Sequence, residues 1–276
     1  MDYIELHCRI VPVDPGNDIM TGELSELGYE SFVEREDGLL AYIPVNQFDE
    51  QAIQNLGILQ LDNFQVDMDH KLIKDQNWNA KWEEDYSPVL IDERVYIRAP
   101  FHDTKEVEFE IVIEPKMSFG TAHHATTAQM IQLLLEKDVR GMKVLDMGSG
   151  TAVLAILAAM KGAASVDAID NDEWAYNNAV ENIERNGMEN VRAELGDAAL
   201  LANRSYDFIM ANINRNILLA DLQAYSNALK NGGELFMSGF YEEDIPVLKE
   251  EAAKGGIDYV IHRVSDLWVA SKWIKK

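Results

Sequence analysis

The sequence predicts a small α+β domain followed by a doubly wound, Rossmann-like α/β domain whose sheet carries an antiparallel edge. Three observations predict it. From Val144 onward, short apolar runs alternate with amphipathic ones, the rhythm of repeated βα units. The stretch Val144-Leu145-Asp146-Met147-Gly148-Ser149-Gly150-Thr151-Ala152 joins a strand to an Ala/Leu/Ile-rich helical run through a glycine turn. Residues 1–75 instead follow the order β-α-β-β-α-β.

Within that first domain, residues 4–10 alternate as a half-buried strand does, and Pro12 to Gly16 interrupts them. Ile19, Met20, Leu24 and Leu27 then recur at near-helical spacing before Gly28. Two strands, 29–34 and 39–45, flank an Asp37-Gly38 hairpin turn. Asn46 is placed to cap a second helix running to Leu56 and stopped by Gly57, and 64–68 is the last strand. This is the element order of a ferredoxin-like fold, and it carries no cluster of catalytic residue types, so binding is its expected task.

Residues 76–95 are expected to link the domains. Trp78, Trp82 and Tyr86 fall one helical turn apart and Pro88 ends the run, which predicts a linker helix with an aromatic stripe. The second domain is expected over 96–276. It opens with strands across 89–100 and 106–114, followed by the unusual run Phe119-Gly120-Thr121-Ala122-His123-His124-Ala125-Thr126-Thr127. Thr126 or Thr127 is placed to cap the helix over 128–135. His123 and His124 are adjacent and lack the i, i+4 spacing of a helical metal pair, so no metal site is expected.

Beyond the glycine turn the pattern is regular. Strands are predicted over 165–170, 191–195, 207–213 and 234–239. Helices are predicted over 173–186, 217–229 and 243–253, the first with Trp174, Ala175, Ala179, Val180 and Ile183 on its buried face. The last two strands, 259–264 and 267–274, are separated by Ser265-Asp266 alone and must pair as an antiparallel hairpin.

Bulk composition narrows the function classes. The chain has 276 residues, 24 basic and 48 acidic, for a net charge of −24. Such a surface repels nucleic acid, whose phosphates need Lys and Arg, and attracts a basic partner. Residues 1–75 hold 16 acidic and 4 basic residues, so about a quarter of the chain carries half the net charge. No apolar run approaches the roughly 18 residues of a membrane span. The start lacks the basic residues of a signal peptide, and the single Cys8 forms no internal disulfide. A cytoplasmic protein is expected.

In a doubly wound sheet, ligands bind beyond the carboxyl ends of the strands, beside the switch point. Gly148, Gly150, Asp170, Asp197 and Asn212 all fall there. The glycine turn presents free backbone N–H groups at a helix start. Asp170 follows Gly148 by 22 residues, the offset at which a carboxylate accepts from two ribose hydroxyls. Its other reading is a helix cap, and Asp197 is open between an adenine contact and a turn cap. These features suit either NAD or S-adenosylmethionine. A dinucleotide fingerprint wants a third glycine where Val153 stands, which favours S-adenosylmethionine. Asn212, after an apolar fourth strand, then has two readings: it can offer its amide oxygen to a nitrogen nucleophile, or it is a turn asparagine bonded to its own backbone.

These blocks resemble the ribosomal protein L11 methyltransferase family, class I S-adenosylmethionine-dependent enzymes that methylate amino groups of a large-subunit ribosomal protein. The likeness rests on 78–88 continuing to Val95-Tyr96-Ile97-Arg98-Ala99-Pro100, on Phe119 to Thr127, and on Leu145 to Ile156 with Asp170 and Asn212-Ile213. The resemblance implies that Thr127, Gly148, Gly150, Asp170 and Asn212 contact the cofactor, that Phe119 to Thr121 cover it, and that Asn212 is the catalytic group. It also implies transfer to lysine side chains or an N-terminal α-amine of a basic ribosomal protein gripped by the acidic domain. The enzyme is expected to be a monomer with no direct nucleic-acid or membrane partner. Another protein or a small amine as acceptor, and a non-catalytic cofactor-binding module docking on ribosomal proteins, remain alternatives. Three departures stand out: Ala122 and Ala152 occupy usual glycine positions, and Ile213-Asn214-Arg215-Asn216 follows Asn212 where the family runs Ile-Leu-Ala-like.

Overall fold

The computed structural model describes residues 2–73, 86–116 and 119–276. The chain divides into two compact units, Met1–Asp85 and Tyr86–Lys276.

In the first unit the elements are β1 (Tyr3–Val11), α1 (Val13–Glu26), β2 (Ser31–Arg35), β3 (Gly38–Pro44), α2 (Glu50–Ile53) and β4 (Gln65–Ile73). The four strands form one sheet in the order β2-β3-β1-β4, every neighbouring pair antiparallel. Strand β1 alternates as its sequence implies. Ile4, Leu6, Cys8 and Ile10 are buried and pack with Met20 and Leu24 of α1 and with Ile53, Leu56 and Ile58. The helix expected from Asn46 to Leu56 is reduced to α2. Residues Val45–Gln47 form a separate 3-10 turn, and Asp49 rather than Asn46 caps the helix, its carboxylate accepting from the Gln51 and Ala52 N–H groups. The carboxylate of Glu23 on α1 accepts from Ile58 N–H and holds a second 3-10 turn, Gly57–Gln60, in place of further α-helix. The expected Trp78–Trp82 helix falls at 74–85, outside the described residues.

The second unit begins with a three-stranded sheet of β5 (Val89–Ile91), β6 (Val95–Arg98) and β7 (Phe109–Val112). The single strand expected over 89–100 is folded into a hairpin, because Asp92 and Glu93 both take positive φ (49° and 54°). Residues 89–95, expected in the connection, thus belong to this sheet. Then follow α3 (Ala125–Glu136), β8 (Lys143–Met147), α4 (Val153–Met160), β9 (Ser165–Asp170), α5 (Glu173–Arg185), β10 (Val191–Leu195) and β11 (Tyr206–Asn212). The chain ends with α6 (Arg215–Ala228), β12 (Leu229–Tyr241), α7 (Ile245–Lys254), β13 (Ile257–Ser265) and β14 (Trp268–Lys275).

Seven strands make one sheet in the order β10-β9-β8-β11-β12-β14-β13. The first five are parallel, and β14 runs antiparallel to both β12 and β13. The period-2 alternation of each strand divides the core between the two faces. Val144, Phe208 and Met210 join one cluster with residues of α3, α4 and α5, whereas Leu145, Ile209 and Ala211 join another with residues of α6 and α7. Both faces are covered, which is why these strands read as continuous apolar runs. The order reverses between β8 and β11, and that switch point locates the site. Among the described residues, no helix is long and apolar enough to cross a membrane.

Candidate active site

At the carboxyl ends of β8, β9 and β11 lies a cleft of about 420 Å³, lined among others by Gly148, Gly150, Asp170, Trp174, Asn212 and Trp268. Its floor is the turn between β8 and α4. Gly148 has φ +69°, and a Cβ there would stand 2.1 Å from Ile213 Cγ2. Gly150 has φ +54°, and a Cβ would stand 2.2 Å from the Phe119 carbonyl oxygen. Both glycines are therefore dictated by a close approach as well as by backbone conformation. The Phe119–Gly120 segment is tied to the turn, since Thr151 N–H donates to Phe119 O (3.0 Å) and Thr151 Oγ1 to Gly120 O (2.7 Å).

Ala122 and Ala152 both take left-handed backbone, with φ +67° and +64°. Both are buried. An alanine in this region costs about 1–2 kcal/mol, comparable to the net contribution of the two Thr151 bonds that fix the loop.

Asp170, at the end of β9, accepts Gly150 N–H on Oδ2 (2.8 Å) and Asp172 N–H on Oδ1 (3.0 Å). It is not the cap of α5. Asp172 is, accepting from Trp174 N–H (2.7 Å) and Ala175 N–H (3.1 Å). Each Asp170 oxygen retains acceptor capacity toward the cleft, the arrangement a vicinal diol needs. Asp197 caps the 3-10 turn Ala198–Leu201 through Ala199 N–H (2.9 Å). It also lines a narrower recess of about 50 Å³ together with Ile169, Asp170, Ile213, Ile217 and Asp221.

Asn212 closes the opposite side, at the end of β11. Its Nδ2 donates to Thr127 Oγ1 (3.1 Å), while its Oδ1 is buried and has no hydrogen-bond partner among the described residues. A buried orphan acceptor is costly unless a ligand N–H reaches it. Thr127 does not line the cleft; it is buried and fixes the Asn212 amide. Neither Thr126 nor Thr127 caps α3. His124 does, its Nδ1 accepting from Thr126 N–H (3.3 Å). The His124 ring stands 5.3 Å from Phe119 and 5.0 Å from Trp268, and Trp268 is 4.6 Å from Tyr241, so aromatic rings wall the Asn212 end. His123 turns away to bond Ser87 O (2.8 Å) and Thr121 Oγ1 (3.1 Å). No cluster of three or more metal-ligating side chains occurs among the described residues. Asn214 caps α6 and Arg215 pairs with Asp244 (2.8 Å), giving the departure after Asn212 a structural task.

Two residues depart from what the sequence pattern suggests. Trp174 is 59% exposed and lines the cleft instead of packing in the core. The buried stripe of α5 is Ala175, Asn178, Ala179, Asn182 and Ile183. Trp174 precedes it by one residue, about 100° around the helix. Asp146, inside β8, is absent from the site residues that the sequence singles out. It is 1% exposed, accepts Ala155 N–H (3.0 Å) and anchors the start of α4 to the strand. Burial, with the Asp170 charge adding to it, pushes its carboxyl up to about 8. An acidic residue in an apolar strand before a glycine turn is the available signal.

That shift has a consequence for stability. Between the ordinary carboxyl range near pH 4 and pH 8 the folded chain holds a proton that the unfolded chain releases. The Asp146 contribution is therefore most favourable below pH 4 and is lost as pH rises to about 8. The expected result is a thermal midpoint that falls more steeply from pH 5 to 8 in wild type than in Asp146→Asn, followed by circular dichroism. Parallel curves would contradict it.

The expected free N–H groups of the glycine turn are not found: Gly148 N–H donates to Ile169 O (2.8 Å) and Gly150 N–H to Asp170, so the turn offers space and not donors. The fit to a nucleoside sulfonium rests on that space, on a carboxylate with acceptor capacity left for a diol, and on an amide oxygen of a cleft residue that has no partner among the described residues. Known proteins point the same way. The profile of the family described as "Ribosomal protein L11 methyltransferase (PrmA)" matches residues 16–276. A ribosomal protein L11 methyltransferase of Phocaeicola vulgatus is 46% identical over 281 residues, covering all of both chains. One of Bacteroides fragilis is 42% identical over 279 residues, covering 99% of this chain and all of the other. In fold, the crystal structure of a ribosomal protein L11 methylase from Lactobacillus delbrueckii subsp. bulgaricus matches with a TM-score of 0.65 at 24% identity, covering 69% of this chain and 100% of that one.

Proposed function

Since the chain belongs to the ribosomal protein L11 methyltransferase family, we propose that it transfers methyl groups from S-adenosylmethionine to amino groups of ribosomal protein L11. It is an S-adenosylmethionine-dependent protein methyltransferase. The observation that carries the reading within the site is Asn212 Oδ1, buried and without a hydrogen-bond partner among the described residues, on a residue that lines the same cleft as Gly148 and Gly150.

When bound, S-adenosylmethionine supplies an electrophilic methyl on a sulfonium. This chain's residues do the positioning. Gly148 and Gly150 leave room for the ligand, and Asp170 accepts from the ribose hydroxyls. Asn212 Oδ1 accepts an N–H of the incoming amine and so directs the nitrogen lone pair toward the methyl group. Thr127 keeps the amide from rotating, and the Phe119, His124 and Trp268 rings keep water from the nucleophile. An amide cannot take up a proton. A lysine amine, with a solution pKa of about 10.4, must therefore lose its proton to solvent before it reacts. Positioning reacting atoms in this way is the larger share of what in-line transfer requires.

The acceptors are lysine side chains or the N-terminal α-amine of the basic substrate. The first unit is read as a ferredoxin-like recognition domain, supported by its element order, its antiparallel sheet order β2-β3-β1-β4 and its exposed acids. Glu34, Glu36 and Asp37 on the β2–β3 hairpin and Asp49 and Glu50 at α2 are solvent-exposed, the chemistry that attracts a basic protein. The enzyme acts as a cytoplasmic monomer. The buried free thiol of Cys8 needs no oxidising compartment.

The direct test mixes purified protein, methyl-labelled S-adenosylmethionine and unmethylated ribosomal protein L11. Label on the ribosomal protein is expected, and none there would sink the proposal. Removing residues 1–85 separates the roles of the two units. Affinity for S-adenosylhomocysteine is expected to persist, because the cleft residues all lie in Tyr86–Lys276. Methylation of the ribosomal protein is expected to vanish. A truncated chain that still methylates L11 at the full rate would remove recognition from the first unit.

A further inference from the structure

Trp174 presents a 59% exposed indole at a ligand cleft and serves no core. The helix it begins is held by Asp172, whose carboxylate accepts the N–H of Trp174 itself. Its backbone is thus fixed next to the cleft. Side chains on a helix lean toward its N-terminus, so the indole is directed back over the Asp170–Asp172 turn at the end of β9. Among the described residues no ring contact joins it, in contrast to Phe119, His124, Trp268 and Tyr241 on the far wall.

The sheet order says which part of a ligand lies there. Strands β9, β8 and β11 are consecutive neighbours, with Asp170 and Trp174 at the β9 side and Asn212 at the β11 side. A ligand whose reactive methyl faces Asn212 has its ribose at Asp170 and must extend past it toward Trp174. We propose that Trp174 is a cofactor-contact residue that packs its indole against the nucleoside half of S-adenosylmethionine and of its demethylated product. The inference rests on the methyltransferase reading above. An aromatic side chain is suited to the task because a purine offers a π-face and the sugar offers C–H groups, and stacking buries both partners' apolar surface.

The test uses the full chain and three probes: S-adenosylhomocysteine, 5′-methylthioadenosine as the nucleoside half, and homocysteine as the other half. S-adenosylhomocysteine and 5′-methylthioadenosine are expected to change wild-type tryptophan fluorescence, homocysteine is not, and the change is expected to disappear in Trp174→Phe. Because Trp268 also lines the cleft, the fluorescence comparison is made with Trp268→Phe present in both proteins, so that Trp78, Trp82 and Trp273 remain as internal control. By calorimetry Trp174→Ala is expected to weaken S-adenosylhomocysteine about tenfold or more, the scale of one lost base–aromatic stack. Trp174→Phe keeps a ring and is expected to restore most of that affinity, which a merely structural role on an exposed helix turn does not predict. Equal affinity of wild type and Trp174→Ala overturns the inference, as does a fluorescence change produced by homocysteine and not by the nucleoside. If wild type binds none of these probes, the methyltransferase reading itself fails, a result distinct from wild-type binding that Trp174→Ala leaves unchanged.

Discussion

Asp170→Ala is expected to reduce S-adenosylhomocysteine binding below detection by calorimetry. Two losses combine. The ribose diol loses an ionised acceptor, and hydrogen bonds to charged groups contribute about 1.5–3 kcal/mol each. The two diol bonds together thus correspond to roughly a hundredfold to ten-thousandfold in affinity. The same carboxylate also holds Gly150 N–H (2.8 Å) and Asp172 N–H (3.0 Å), so its removal frees the glycine turn and the approach to α5. A thermal melt of the variant separates lost binding from lost fold. A folded Asp170→Ala protein with wild-type affinity would take the diol away from this residue.

Asn212→Ala is expected to act on a different parameter. On the reading proposed above its Oδ1 receives the amine and not the cofactor, so affinity for S-adenosylhomocysteine is expected to change little. The rate of transfer to ribosomal protein L11 under saturating conditions is expected to fall on the order of a hundredfold, the scale for a misplaced reacting atom. Thr127→Val tests the same arm more gently, since it removes only the partner of Asn212 Nδ2. Single-turnover rates with both substrates saturating make the distinction. A loss confined to cofactor affinity, with kcat intact, would move Asn212 from the amine to the cofactor.

The two predictions differ because Asp170 and Asn212 end strands on opposite sides of β8, and their places at strand ends are legible in the sequence. Strand β9 spans the 165–170 that its apolar pattern predicts, and the run forming β11 is recognisable as a central strand because it shows no alternation. Finer features are not legible. In the sequence Trp174 groups with the core residues of α5, because one residue of drift along a helix looks small there and is about 100° in space. For the cap of α2, Asn46 and Asp49 are both good candidates by residue type. Only the separate 3-10 turn Val45–Gln47, after which the chain is extended at Phe48, decides for Asp49.

By itself the sequence determined the alternation of strands and helices from Lys143 onward, the glycine turn, the acids and the asparagine at strand ends, and the excess of negative charge in the first 75 residues. Periodicity and turn chemistry are local, and they are written residue by residue. Only the tertiary structure decided that Thr127 orients Asn212 instead of lining the cleft, that Asp146 is sealed beneath the turn and shifted upward, and that Trp174 is left open. Each of these depends on which segments, tens of residues apart in the chain, come within a few ångströms, and on how much water they exclude. No local pattern encodes either quantity.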